Sequence, residues 1–201
     1  MDEIAIVGNG ELSQADLAAI EQANLIVRFN SPPLSHIYGA AKTDILVLSN
    51  SSKQTSRLLE CSQYINGSIF RQATSIMLPY HPQIIAKYMP KPNPLSWLKG
   101  RRSDLTQQCQ HLASQHQKPC ITLSAEAYQQ ACQALQIEGM GLRSTFPSSG
   151  LLAVKHIVDL HAKRSNIRLF GFGFQGWKRH DWSRERAYID NLAANQILNL
   201  N

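Results

Sequence analysis

Short aliphatic runs alternate with longer amphipathic segments along this chain. The runs typical of strands are residues 4–7, 25–29, 45–48, 75–78, 120–123 and 167–170. Such alternation predicts a parallel sheet with helices on both faces, which is an α/β, Rossmann-like fold. With 201 residues, the chain is long enough for a single domain, 1–201, with a well-covered core.

Serines mark predicted helix starts between these strands. Ser13 is followed three residues later by Asp16, which resembles a capping box. Ser103 and Ser124 stand before two further amphipathic segments. We therefore predict helices that begin at each of these three serines.

The segment 79–103 is rich in proline near its start. Pro82, Pro90 and Pro92 limit any helix there to a few turns, and the remainder is predicted as loop. Two interpretations stand side by side: a lid that contacts a substrate, and a plain surface connection.

The composition is that of an ordinary globular protein. Hydrophobic residues make up 43% and charged residues 17%, which excludes a long disordered tract. No apolar run approaches the roughly 20 residues that a membrane-spanning helix needs. The first predicted strand begins close to Met1, so we expect no signal peptide and a cytoplasmic protein, alone or as a homo-oligomer.

The four cysteines show no C-x-x-C spacing, so neither a metal site nor a disulfide framework is expected. We predict that Cys61, Cys109, Cys120 and Cys132 are reduced, partly buried thiols.

The formal charge of +6 favours an anionic partner. The basic residues form two modest groups, Lys99, Arg101 and Arg102, and then Lys178, Arg179, Arg184 and Arg186. Neither group has the interleaved aromatic residues of a nucleic-acid surface, so we expect no nucleic acid as partner. A phosphate- or carboxylate-bearing small molecule and a peripheral membrane contact both stay open.

A candidate anion site follows the first strand. Gly8, Asn9 and Gly10 precede a capped helix, where exposed backbone N–H groups would suit a phosphate. Ser13 stands where a dinucleotide-binding motif has its third glycine, which argues against a nicotinamide cofactor. A tight strand-to-helix turn would explain the same two glycines.

Two further loops are predicted at the same sheet edge. Asn30 follows the second strand, and its amide, like that of Asn9, can both donate and accept hydrogen bonds. Ser148, Ser149 and Gly150 precede an apolar helix and offer hydroxyl and N–H groups at its start. Simple turn formation and simple helix capping are the alternatives.

His180 is the candidate general base. It precedes the last predicted helix and lies within a glycine-containing stretch, 171–182, which we expect to be a mobile loop. Histidine is the usual base for a hydroxyl nucleophile because its pKa lies near neutrality.

These motifs together resemble the animal-type sialyltransferases. That family has V-G-N, V-I-R-x-N, P-S-T-G, Y-G-F and H-x-x-x-x-E in this order. The corresponding sequences here are V-G-N at 7–9, V-R-F-N at 27–30, P-S-S-G at 147–150, F-G-F-G at 170–173, and His180 with Glu185. Tyr80-His81-Pro82 resembles a tyrosine-x-proline segment of the family. The similarity covers the first 30 residues, a short central piece and about the last 55.

The resemblance implies inverting transfer of sialic acid, or a related acidic sugar, from a CMP-linked donor to the hydroxyl of a glycan or glycolipid. His180 would take the acceptor proton. Asn9 and Asn30 would hold phosphate and ribose, and Tyr80 would steady the phosphate. The turn at Ser148, Ser149 and Gly150 would bind CMP or the donor carboxylate, and Glu185 would orient the loop or cap the last helix.

No further cofactor and no metal are expected. A CMP leaving group carries a single phosphate, which hydrogen bonds and helix N-termini can stabilise, and the chain has no D-x-D pair. The sequence departs from the family at Phe146, where a tyrosine is frequent. Two alternatives remain: a transferase for another nucleotide sugar, and a non-catalytic accessory protein that binds a nucleotide or sugar.

Overall fold

The structure is a computed structural model that describes residues 1–39, 42–91, 93–98, 103–139, 141 and 144–201. Within these residues a parallel sheet has the strand order β5-β4-β3-β2-β1-β6-β7. The strands are β1 (Asp2–Val7), β2 (Leu25–Phe29), β3 (Ile45–Val47), β4 (Ser75–Leu78), β5 (Cys120–Thr122), β6 (Ser165–Phe170) and β7 (Asn199–Leu200). The predicted α/β, Rossmann-like fold is therefore confirmed.

Helices connect the strands. They are α1 (Gln14–Glu21), α2 (Leu34–Gly39), α3 (Lys53–Leu59), α4 (Ser62–Ile65), α5 (Ser68–Gln72), α6 (Pro82–Tyr88), α7 (Pro94–Leu98), α8 (Thr106–Gln115), α9 (Ala125–Ala134), α10 (Ser149–His161) and α11 (Trp182–Ala194). None of the helices in the described residues is both long and apolar enough to cross a membrane.

The strand side chains divide into two cores because they alternate between the faces of the sheet. Ile4 and Ile6 of β1 belong to the large core that α9, α10 and α11 cover. Ala5 and Val7 point to the other face and pack with residues of α1. All four side chains are buried, which is why β1 reads as a continuous apolar run instead of an alternating one.

Two of the three predicted helix starts are confirmed. Ser13 and Asp16 form a reciprocal capping box at α1, and Ser124 Oγ accepts the N–H of Ala127 at the start of α9. The prediction for Ser103 is wrong. The Asp104 carboxylate accepts the N–H of Thr106 at 2.8 Å, and α8 begins there.

The predicted lid segment contains α6 and α7. Ile84 and Ile85 of α6 are buried in the large core, so this part packs against the body of the fold. Pro92 and the first basic group, Lys99, Arg101 and Arg102, lie outside the described residues. The lid itself stays a prediction.

The sheet has a switch point beside β1. The chain builds outward from β1 through β5 on one side, and then returns to place β6 against the other side of β1. The loops after β1 and β6 therefore leave the sheet in opposite directions and open a crevice at the carboxyl ends of the strands. Ligands of open α/β sheets bind at such a point.

Candidate functional site

A cavity of about 420 Å³ occupies the switch point. This volume lies within the range of roughly 300–1,000 Å³ that is usual for small-molecule sites. The cavity is bounded by the loops after β1, β2 and β6 and by the starts of α10 and α11. It therefore joins parts of the chain that lie more than 100 residues apart.

The structure brings most of the predicted site residues to this cavity. Its lining includes Gly8, Asn9, Gly10, Asn30, Ser148, Ser149, Gly150, His180 and Glu185. Tyr80 is the exception. It is only 2% exposed, and its hydroxyl donates a 2.9 Å hydrogen bond to the Pro147 carbonyl. Tyr80 thus supports the loop from beneath, and its predicted contact with phosphate is replaced by this buried bond.

The two glycines after β1 do not offer the N–H groups that the sequence suggested. The N–H of Gly8 donates to the Phe170 carbonyl, and that of Gly10 donates to the Gly171 carbonyl, both at 2.8 Å. A Cβ on Gly10 would lie 2.7 Å from the Gly171 oxygen, and one on Gly8 would collide with it as well. These glycines are needed for close contact between two loops, and an anion must find other donors.

Asn9 and Asn30 each use one end of the amide within the protein. Asn9 Nδ2 donates to the Phe29 carbonyl at 3.3 Å, and Asn30 Oδ1 accepts the N–H of Ser49 at 2.9 Å. The Asn9 oxygen and the Asn30 nitrogen make no hydrogen bond to any described residue. The cavity is therefore lined by one amide acceptor and one amide donor. Together they can pair with a hydroxyl group or with the hydrogen-bonding edge of a nucleotide base.

The start of α10 supplies the donors that the glycines lack. Ser148 is the N-cap, and its Oγ accepts the N–H of Leu151 at 3.0 Å. The N–H groups of Ser149 and Gly150 have no hydrogen-bond partner among the described residues, and both residues line the cavity. The helix dipole adds positive potential at this end, so the arrangement favours an anion.

Glu185 holds this helix start in place. It is 2% exposed, and its carboxylate accepts the Ser148 N–H at 2.8 Å and the Ser148 hydroxyl at 2.6 Å. Burial raises the pKa of Glu185 to about 7, although the two bonds from Ser148 oppose the shift. Asp181 caps α11 by accepting the Arg184 N–H, so Glu185 serves as a support of α10 and does not cap its own helix.

His180 lines the cavity with one ring nitrogen bonded to the backbone and the other available as an acceptor. Its Nδ1 lies 2.7 Å from the Phe146 carbonyl oxygen, which can only accept, so Nδ1 carries the hydrogen and Nε2 carries the lone pair. Burial lowers the pKa of His180, and the bond to Phe146 acts in the opposite direction. Trp177 and Trp182 flank the ring at 5.1 and 4.9 Å between centroids. The imidazole is thus neutral near pH 7 and able to accept a proton.

Three side chains fix one short segment, residues 146–148. His180 bonds to the Phe146 carbonyl, Tyr80 bonds to the Pro147 carbonyl, and Glu185 binds Ser148. The spacing H-x-x-x-x-E therefore has a structural reason, because His180 bonds to one end of this segment and Glu185 bonds to the other. The orientation of His180 and the orientation of the α10 start are therefore linked through this segment.

The sequence interpretation missed an aromatic wall, which consists of Phe29, Phe172, Phe174, Trp177 and Trp182. Phe29 and Phe172 meet edge to face with centroids 6.0 Å apart. The signal was present as three aromatic residues shortly after β6, at the carboxyl edge of the sheet. Gln54 and Gln175 also line the cavity and were missed; nothing in their sequence context distinguishes them.

No lysine or arginine of the described ranges lines the cavity. In the second basic group, the Arg184 guanidinium donates to the carbonyls of Leu135 and Gln136, and Arg186 lies 5.7 Å from the Phe174 ring centroid. The residues that the structure describes contain no cluster of histidine, cysteine, aspartate or glutamate suited to a metal ion. The described cysteines are free thiols, of which Cys109 and Cys132 are buried.

The fold is similar to that of a solved sialyltransferase. A crystal structure of a mammalian sialyltransferase superposes with a TM-score of 0.54 and covers all of this chain and 68% of its own, at 17% sequence identity. At that identity the likeness defines the fold.

In sequence, the chain is similar to the "Urease operon 23 kDa accessory protein" of Rhizobium meliloti (strain 1021). The two are 28% identical over 199 residues, which are 95% of this chain and 88% of the relative. No protein-family model matches the chain.

Proposed function

We propose that this protein is a glycosyltransferase that transfers sialic acid, or a related acidic sugar, from a CMP-linked donor to an acceptor hydroxyl with inversion. One observation carries the proposal: a single cavity is lined both by Ser149 and Gly150, whose N–H groups have no partner among the described residues, and by a neutral histidine whose Nε2 can accept a proton. The sialyltransferase-like fold supports it.

The start of α10 binds the phosphate of the donor. The N–H groups of Ser149 and Gly150 and the hydroxyl of Ser149 donate to the phosphate oxygens, and the helix dipole stabilises their charge. Asn9 and Asn30 bind the ribose through the amide acceptor and donor described above. These donors stabilise the departing monophosphate without a metal ion.

His180 removes the proton of the acceptor hydroxyl. As the acceptor oxygen attacks the anomeric carbon, the proton passes to Nε2 and the bond from that carbon to the CMP oxygen breaks. The Phe146 carbonyl keeps the ring oriented and stabilises the imidazolium through Nδ1–H. The aromatic wall excludes water from the reacting atoms, which protects the donor from hydrolysis.

The nucleotide preference tests the donor class. We expect CMP to raise the melting temperature of the protein, because a ligand that binds the native state alone stabilises it. UDP, GDP and ADP at equal concentration serve as comparisons. Stabilisation by one of these three, with no effect of CMP, would favour a transferase that uses another nucleotide sugar.

A second candidate is an accessory protein that binds a nucleotide or an acidic sugar without turnover. The similarity to the urease operon accessory protein, which extends over nearly the whole chain, favours it. The two candidates differ in a direct assay with CMP-sialic acid. Release of CMP from CMP-sialic acid supports the transferase. Tight binding of CMP, with no CMP formed from CMP-sialic acid over hours, supports the accessory protein.

A further inference from the structure

Glu185 is a buried carboxyl group at the edge of the cavity, and it faces donors but no cation. Ser148 approaches it from α10 with an N–H and a hydroxyl. Within the described ranges, no lysine, arginine or histidine forms a salt bridge with it. A buried carboxylate without a counter-ion is easily protonated.

The charged and titratable groups around Glu185 do not compensate the negative charge of its carboxylate. Asp181, at the start of its own helix, disfavours the ionised form. Tyr80 approaches from the loop after β4, and burial raises the pKa of its phenol, so it stays neutral. His180 bonds to Phe146 and is neutral near pH 7. Arg184 is directed to the Leu135 and Gln136 carbonyls.

A bound anion would lie next to this carboxyl. The N–H groups proposed to bind phosphate belong to Ser149 and Gly150, directly after the residue that Glu185 contacts. Two negative charges this close, in a cavity lined by aromatic rings, repel each other strongly because the local dielectric is low. Either the anion binds weakly or the carboxylate acquires a proton.

We propose that the protein takes up one proton on Glu185 when its anionic ligand binds, an inference that rests on the proposed nucleotide site. In the structure the Ser148 hydroxyl donates to the Glu185 carboxylate. With the ligand bound, a proton from solvent resides on Glu185 Oε2 and is donated to Ser148 Oγ. The hydroxyl hydrogen of Ser148 then turns to the anion. The Glu185 carboxyl no longer repels the ligand, and the Ser148 hydroxyl becomes an additional hydrogen-bond donor to it.

The resting state of the carboxyl suits this exchange. Burial already raises the pKa of Glu185 to about 7, so its two forms are similarly populated near neutrality. A nearby anion raises the pKa further. We therefore expect CMP affinity to fall as the pH rises above 7, by up to about tenfold per pH unit.

Calorimetry measures the proton directly. CMP is titrated into the full-length chain at pH 8 in buffers that differ in ionisation enthalpy, such as HEPES and Tris. The slope of the binding enthalpy against the buffer enthalpy gives the number of protons bound. At pH 8 the CMP phosphate is already fully ionised and the Glu185 carboxyl is mostly ionised, so we expect an uptake close to one.

Three variants assign the proton. E185Q keeps the size of the side chain and cannot titrate, so it should bind CMP with no uptake and with an affinity that does not change between pH 7 and 9. H180N should retain the uptake. E21Q, at the exposed end of α1, removes the same charge away from the cavity and should behave as wild type.

Each result has a distinct meaning. Binding of CMP to wild type without proton uptake overturns the inference and leaves the proposed function intact. Uptake that persists in E185Q also overturns it, because the proton is then on another group. A chain that binds neither CMP nor inorganic phosphate overturns both proposals.

If E185Q does not fold, the wild-type protein still provides a test of the inference. Carbon NMR of a sample labelled at the glutamate carboxyl should show one signal that titrates near pH 7. After addition of CMP, that signal should stay protonated to pH 8 or above. A signal that titrates identically with and without CMP contradicts the inference.

Discussion

His180 shows how a single residue acquires a chemical role from its surroundings. The Phe146 carbonyl selects the tautomer, and burial between two tryptophans disfavours the charged form. His111 on α8 is exposed and has no such partner among the described residues. The environment, more than the residue type, therefore distinguishes the candidate base from His111.

Replacement of His180 by asparagine tests this role. The amide can still donate to Phe146, but it cannot accept a proton, so we expect sugar transfer to fall by about 10²- to 10⁴-fold. CMP affinity should change little. Two quantities are measured: kcat from the release of CMP, and the Kd for CMP from calorimetry. H111N is the matched control, and unchanged turnover in H180N would remove this histidine from the mechanism.

Tyr80 provides a second test at the residue level. Y80F removes the hydrogen bond to the buried Pro147 carbonyl, which should destabilise the protein by about 1–3 kcal/mol in denaturant unfolding. Because the hydroxyl faces away from the cavity, CMP affinity should fall no more than a few-fold. Y88F, on α6, is the control. A large loss of CMP affinity at unchanged stability would instead support the contact between Tyr80 and phosphate that the sequence predicts.

At the level of elements, the loops after β1 and β6 pack as closely as their backbones allow. The Gly171 carbonyl lies against both Gly8 and Gly10, and it accepts the N–H of Gly10. This contact fixes the floor of the cavity and leaves the side chain of Asn9 exposed at its surface. The two glycines of V-G-N-G are thus explained by a strand that lies 160 residues further along the chain.

G10A should destabilise the fold by about 1–3 kcal/mol, because its Cβ meets the Gly171 oxygen and the loops must separate. We also expect weaker CMP binding, since Asn9 moves with its loop. G141A is the control, because among the described residues its Cβ would meet an Ile137 methyl group at 3.6 Å and nothing closer. Equal unfolding midpoints for the two variants would contradict the close packing described here.

The sequence predicted the elements better than their contacts. Strands such as Leu25–Phe29 are continuous apolar runs that a buried parallel sheet requires, so their positions follow from the pattern alone. β7 was missed because two exposed residues carry no such pattern. The bonds of Gly8, Gly10 and Tyr80 could not be predicted, since each partner arrives from a distant part of the chain.

At the level of the whole molecule, stability should depend on pH through Glu185. Its pKa is raised in the folded state, from 4.5 to about 7. The stabilisation linked to its proton is therefore fully present below pH 4.5 and is lost as the pH rises through 7. The loss is on the order of 3 kcal/mol.

Unfolding by denaturant from pH 4.5 to 8 measures this loss as the difference between wild type and E185Q. The contribution of His180 has the opposite direction, because its pKa is lowered, but it is common to both proteins and cancels. E21Q should follow wild type. Parallel curves for wild type and E185Q would show that Glu185 titrates equally in the folded and unfolded chains.

The placement of β6 beside β1 has a consequence for biosynthesis. One part of the cavity comes from residues 8–30, whereas most of the rest comes from residues 148–189. At ribosomal rates of about 5–20 residues per second, the first part is made roughly 8–32 s before the second is complete. A nascent chain can therefore complete the proposed nucleotide site only after the residues that follow β6 have been added.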